Sequence, residues 1–158
     1  MPHENAITIR PATPADAPQL LRLINALAEY EKLDPPTPEA QERLIRDAFS
    51  PAPRFHVLLA QAADGQLAGY AFIMETYSTF LAKPTLYLED LFIHPDFRGT
   101  GAGSAMFSAI KAEAKARGCG RIEFVVLDWN NLAREFYHRK GGKHMKDWVF
   151  YRVDETEF

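Results

Sequence analysis

The stretch LEDLFIHPDFRGTGAGSAM, Leu88 to Met106, most narrows what the chain can fold into. An apolar run breaks at a proline turn, passes three glycines spaced two apart, and opens a helical pattern. A strand that turns on glycine into a helix leaves the first helical N–H groups without intrahelical partners, and the missing Cβ atoms let a ligand reach the backbone. With the helix dipole, these donors suit an anion such as a pyrophosphate. Gly99, Gly101 and Gly103 do not spell G-x-G-x-x-G, and no Lys-Ser/Thr follows as a P-loop requires. From the glycines alone, a plain strand-to-helix turn packed with small residues is an equal reading. Glu89 and Asp90 lie inside the strand itself; adjacent residues point to opposite faces, so at most one faces a cleft by that route. A carboxylate inside an apolar strand is costly unless paired, which argues against a purely structural Glu89.

The rest of the chain supplies a sheet and helices around that turn. Ala6–Arg10 alternates as a half-buried strand does. Thr13-Pro14-Ala15-Asp16 reads as a helix start, and Leu20, Ile24, Leu27 and Glu31 follow at helical spacing, so Glu31 ends the inward stripe. Pro35-Pro36 stops that helix, and Thr37-Pro38-Glu39 starts another through Ala48. Phe55–Ala62 and Leu67–Glu75 predict strands joined at Asp64-Gly65, and Leu86–Ile93 a third. A helix follows from Gly101 to Arg117, then a strand at Arg121–Leu127, a short helix at Leu132–Lys140 and a last strand at Trp148–Val153. The order is that of an α/β mixed sheet with helices packed on it.

Bulk properties exclude partners more than they name one. A net charge of -3 over 158 residues offers no phosphate-neutralising excess, against a nucleic-acid or anionic-membrane partner. No apolar run approaches the ~18 residues of a membrane span. MPHENAITIR lacks the basic end and apolar core of a signal peptide, and Cys119, the one cysteine, cannot form an internal disulfide. The expectation is a single cytoplasmic domain over residues 1–158. His3, His56, His94, His138 and His144 show no metal-ligand spacing, so no metal is expected.

Arg98-Gly99-Thr100-Gly101-Ala102-Gly103 resembles the Arg/Gln-x-x-Gly-x-Gly/Ala signature of the GNAT family of N-acetyltransferases. With IRPAT (Ile9–Thr13), LLRLINALAEYEKL (Leu20–Leu33), YLEDLFIHPDFRGTGAGS (Tyr87–Ser104) and LDWNNLAREFYHRKGG (Leu127–Gly142), the resemblance covers nearly the whole chain. Within the family it points to the diamine (spermidine/spermine) acetyltransferases and their thialysine-acetylating relatives. It implies a GNAT fold: a mostly antiparallel sheet of about six to seven strands with one parallel, splayed pair, flanked by about four helices. It also implies acetyl-CoA as co-substrate and a homodimer. Leu91, Phe92 and Ile93 then offer backbone to the pantetheine arm, and Arg98, Gly99, Thr100, Gly101, Ala102, Gly103 and Ser104 wrap the pyrophosphate. Asn130, Ala133 and Lys140 line the far side of the cofactor, with Tyr137 beside the sulfur.

Acetyl transfer to an amine needs a neutral nitrogen, whereas an alkylammonium of pKa about 10.4 is almost wholly protonated at pH 7. The resemblance assigns the base, acting through water, to Glu89, and the proton for the leaving thiolate to Tyr137. Tyr30 and Glu31 match the family's substrate pair at the end of the first helix. Asp90 either pairs within the protein or joins the substrate side. Tyr77-Ser78-Thr79-Phe80 departs from the Tyr-Asp-Pro-Trp of the polyamine enzymes, and Leu127-Asp128-Trp129-Asn130 also follows the thialysine branch. Fewer acidic anchors favour a short amine or amino-acid-like substrate over a long polyamine. The alternatives are a protein lysine or N-terminal acetyltransferase, and an acetyl-CoA-binding module without catalysis; the latter needs neither Glu89 nor Tyr137.

Overall fold

The computed structural model describes residues 6–158; His3 and the other residues before Ala6 lie outside it. Five strands form one sheet in sequence order: β1 (Thr8–Pro11), β2 (His56–Gln61), β3 (Leu67–Ser78), β4 (Lys83–Ile93) and β5 (Arg121–Glu123). The ladders are antiparallel through β4, and β4 pairs with β5 in parallel over Thr85–Tyr87 and Arg121–Glu123. Four α-helices accompany the sheet: α1 (Ala17–Glu31), α2 (Pro38–Ala48), α3 (Ala102–Ala116) and α4 (Asn131–Arg139). The chain divides into two compact units between Val125 and Val126, the first holding the sheet with α1 to α3 and the second α4 with the residues on either side of it, Val126–Phe158.

Caps written into the sequence set the helix starts. Thr37 Oγ1 accepts from the Ala40 N–H at 3.2 Å, with Pro38 in the first turn. Before α1, a single 3-10 turn at Pro14–Asp16 closes with a reciprocal box between Thr13 and Asp16. Arg10 of β1 then grips the Asp16 carboxylate with two bonds of 2.8 Å each. The guanidinium, aided by the Thr13 donors, holds the Asp16 carboxyl well below the usual carboxylate range.

α1 buries Leu20, Leu23 and Ile24 against Val57, Leu59, Tyr70, Phe72 and Phe92 of the sheet. Each such side chain contributes about 1.5–3 kcal/mol by leaving water, enough together to fix α1 on that face. α3 supplies Met106, Phe107 and Ile110 to the core and contacts β2, β3 and β4. Its Arg117 reaches Glu75 of β3 at 3.4 Å, which places α3 on the face that Glu75 and Ile73 share. β3 is buried without break from Leu67 to Ile73, as a central strand covered on both faces must be.

β4 carries one residue more than its partner needs. Asp90 lies opposite Phe72 and Leu88 opposite Ile73, so Glu89 is an extra residue, a β-bulge. Phe72 and Ile73 are successive on β3 and face opposite ways. Leu88 and Asp90, two apart, therefore also face opposite ways, which no regular strand permits. Leu88 enters the α3 face at 2% exposure, and Asp90 joins Tyr70, Phe72 and Phe92 on the α1 face.

The structure departs from the sequence reading in its last strand. Trp148–Val153 forms no strand among the described residues. Trp148, Val149, Phe150, Tyr151 and Val153 are exposed, and no ladder includes them. A run of aromatic and β-branched residues shows that a segment can be a strand, but hydrogen bonds from a neighbour make it one. β5 is likewise shorter than Arg121–Leu127, ending at Glu123. Among the described residues the sheet accordingly has five strands rather than six or seven.

Candidate active site

Past Tyr87, β4 and β5 no longer pair, while β4 stays bonded to β3 as far as Ile93. The β4 edge away from β3 is thus without its parallel partner over Leu88–Ile93, the segment expected to offer Leu91, Phe92 and Ile93 backbone to a cofactor. Phe92 is also core, at 4% exposure, so its side chain packs while its main chain remains the part that can bind. The main chain then turns at Pro95–Phe97, where the His94 side chain accepts from the Asp96 N–H at 3.2 Å.

Gly99 and Gly101 sit at φ +77° and +86°, the left-handed region, with no atom within 4 Å of where a Cβ would stand. Backbone conformation rather than packing therefore demands glycine there. Thr100 Oγ1 donates to the Phe97 carbonyl and tightens the turn. The first ladder bond of α3 runs from Ala105 N–H to Gly101 O at 2.9 Å, so the N–H groups of Ala102, Gly103 and Ser104 precede that ladder. Donors along a glycine turn and a 15-residue helix behind them fit a pyrophosphate. Arg98 does not simply extend from this turn. Its Nε donates to Ile93 O at 3.2 Å, and its guanidinium lies 4.9 Å from the centre of the Tyr30 ring. The glycine turn and the end of α1 are thereby in contact.

α1 ends just after Tyr30 and Glu31, where Lys32 takes a left-handed φ of 60°. Leu33 N–H then bonds Ala28 O at 2.9 Å, which closes the helix end. Burial raises the Glu31 carboxyl above its ordinary range. Glu31 is close enough for its charge to raise both Asp90 and Tyr70. The site so far gathers three carboxylates, Glu31, Glu89 and Asp90, around the end of β4 that β5 does not pair.

The burial that the sequence reading gave to Glu89 belongs to Asp90. Glu89 is exposed at the bulge, whereas Asp90 is half-buried. Desolvation, then the Glu89 charge, push the Asp90 carboxyl up to about 6; a hydrogen bond from Tyr70 pulls the other way, and Glu31 adds to the rise. Tyr70 Oη donates to Asp90 Oδ2 at 3.2 Å. Tyr70 is a residue that sequence reasoning missed. Its signal was a tyrosine amid the buried run Leu67–Ile73, where a hydroxyl without a partner would be costly.

In the second unit, Asn130 caps α4 by accepting from the Ala133 N–H at 3.2 Å. Tyr137 and Lys140 lie in the last turn and at the C-cap of that helix. The Tyr137 ring meets Phe136 edge-on at 5.3 Å, and the Lys140 ammonium lies 5.7 Å from the centre of the Phe136 ring. Gly142 N–H bonds Tyr137 O at 2.8 Å, and a Cβ on Gly142 would meet that carbonyl. One helix thus carries Asn130, Ala133, Tyr137 and Lys140, while the first unit carries the glycine turn and the carboxylates.

The sequence pattern described as Acetyltransferase (GNAT) family matches residues 19–142. The thialysine N-epsilon-acetyltransferase of Bos taurus is 34% identical, over 94% of this chain and 92% of that protein. The L-ornithine N5-acetyltransferase NATA1 of Arabidopsis thaliana is 27% identical, over 96% and 86%. Among solved structures, a V. cholerae integron cassette protein aligns with a TM-score of 0.79 at 20% identity, covering 96% of this chain and 94% of that one. A probable acetyltransferase gives 0.79 at 18% identity, over 93% and 97%.

Proposed function

The chain belongs to the GNAT acetyltransferase family, and we propose that it acetylates the primary amine of a small, thialysine-like amino acid or a short diamine by direct attack in a ternary complex. The likeness to thialysine N-epsilon-acetyltransferases over nine-tenths of both chains carries this reading. The carboxylates around the end of β4 support it, since they suit a cation rather than an anion.

Acetyl-CoA supplies an activated acetyl thioester, and the family uses it as co-substrate. In this reading the N–H groups of Gly99–Ser104 hold its pyrophosphate, the main chain of Leu91–Ile93 its pantetheine arm, and Asn130, Ala133 and Lys140 its far side. Tyr30, Glu31 and Asp90 hold the substrate ammonium. Glu89 takes a proton from that nitrogen through water, because an alkylammonium with pKa about 10.4 has no lone pair to attack with. Tyr137 Oη gives its proton to the departing thiolate; a phenol with pKa near 10 keeps that proton until charge develops. The same reading takes residues 1–158 as one catalytic domain and the protein as a cytoplasmic homodimer, without metal, membrane or nucleic-acid partner.

Initial rates across thialysine, ornithine, lysine, short diamines, spermine and lysine peptides, each with acetyl-CoA, test this reading. The expected order places thialysine or a short diamine above spermine in kcat/KM. A tenfold preference for spermine, about 1.4 kcal/mol of transition-state binding, would overturn the substrate class. A preference for peptides would move the enzyme to protein acetylation.

A further inference from the structure

Tyr70 is fully buried among Phe72 and Phe92, with ring centres 5.3 and 6.4 Å away. A phenylalanine would fill that volume equally well, so the hydroxyl is what needs explaining. A phenol hydroxyl shut away from water is unfavourable unless it finds a partner. The partner is Asp90 Oδ2 at 3.2 Å, the one hydrogen bond found for the Asp90 side chain among the described residues. Three acidic groups bear on this spot from two elements: Glu31 at the end of α1, and Glu89 and Asp90 side by side on β4. Tyr70 is the neutral donor among them, reaching in from β3.

A carboxylate beside two others resists ionising, and one free to rotate binds an ammonium in several poses. A single donor from the core answers both problems. It favours the charged form of the group and fixes one of its oxygens. Resting on the amine site proposed above, we infer that Tyr70 is a positioning residue for substrate. By donating to Oδ2 it holds the Asp90 carboxylate as an anion in one orientation, leaving Oδ1 for the substrate ammonium. The choice between tyrosine and phenylalanine at this buried position thereby sets the pH range over which the enzyme takes a small cationic amine.

The test is Tyr70→Phe, which keeps the ring and removes only the hydroxyl. Rates are compared with the wild type at each pH, so that ionisation of the substrate cancels. At pH 6.5 the variant's kcat/KM for the amine is expected to fall about sixfold, through a raised KM for the amine, with KM for acetyl-CoA unchanged. By pH 8.5 the deficit is expected to shrink to about twofold, because the Asp90 carboxyl then ionises without help. A deficit of the same size at every pH, or none, overturns the inference, since lost packing does not titrate. Carbon-13 NMR of the Asp90 carboxyl, assigned by its loss in Asp90→Asn, supplies a readout without turnover. Its midpoint is expected to rise by about one pH unit in Tyr70→Phe, and an unmoved midpoint also overturns the inference. Wild-type enzyme that acetylates no amine, or Asp90→Asn with unchanged KM for the amine, would instead refute the amine site, while the NMR midpoint still decides the Tyr70–Asp90 coupling.

Discussion

Replacing Asp90 with asparagine should make the folded chain more stable while weakening its grip on the amine. Burial and the Glu89 charge move the Asp90 carboxyl from its ordinary 3.8 to about 6. Below about pH 4 the group is protonated in folded and unfolded chains alike and costs nothing. Between about pH 4 and 6 the unfolded chain ionises first, so stability falls as pH rises. Above 6 the folded chain carries the whole penalty, about 3 kcal/mol for that gap. Asparagine is neutral, has the same shape, and still offers an oxygen to the Tyr70 hydroxyl. At pH 8 the variant is therefore expected to melt higher by as much as about 6–12 °C, at about 2–4 °C per kcal/mol for a chain of this size. Thermal unfolding of both proteins at pH 8 and pH 4 measures the effect. Equal melting at pH 8, or a gap that persists undiminished at pH 4, would refute the argument, because a difference due to ionisation must vanish once both states hold the proton. Such a gain at the expense of binding is the usual mark of a site held in a disfavoured state.

Two further outcomes follow from the remaining parts of the site. Gly101→Glu puts a side chain and a negative charge on a residue at φ +86°; acetyl-CoA binding by calorimetry should weaken by at least about tenfold, and an unchanged affinity would remove the anion from the glycine turn. Tyr137→Phe should lower kcat by roughly a hundred- to ten-thousand-fold with acetyl-CoA affinity nearly constant. The loss should shrink with an acyl donor whose thiol is more acidic than that of CoA, and a kcat within about threefold of wild type, with chemistry rate-limiting, would make Tyr137 a packing residue.

Local chemistry made much of the architecture readable in the sequence. Thr37 and Pro38 announce α2, and Asp64 accepts from Gln66 N–H at 2.9 Å in the hairpin turn that Asp64-Gly65 predicts. Leu20 and Ile24 lie on the α1 face that packs on the sheet, as their spacing requires. The features that escaped were those without a local signature. An alternating pattern assumes one residue per step, so the surplus Glu89 could not be told from its neighbours until β3 was laid beside it. The partner of Tyr70 is 20 residues along the chain, and only the ladder brings the two together. At Trp148–Val153 the aromatic and β-branched run was present, but nothing local says whether a strand will find an edge to pair with.

The bulge gives this protein an unusual genetic fragility. Taking Glu89 out in frame would leave Leu88 opposite Ile73 and Asp90 opposite Phe72, the very pairs that exist already, in a ladder with no irregularity. The sheet would lose nothing it uses to fold, since every neighbour would keep its face. One missing codon would thus remove the proposed base while leaving the pairs on either side of it in register. An insertion or deletion elsewhere in the paired part of the strand has no such escape, because it would drive apolar side chains outward and carboxylates inward along its length.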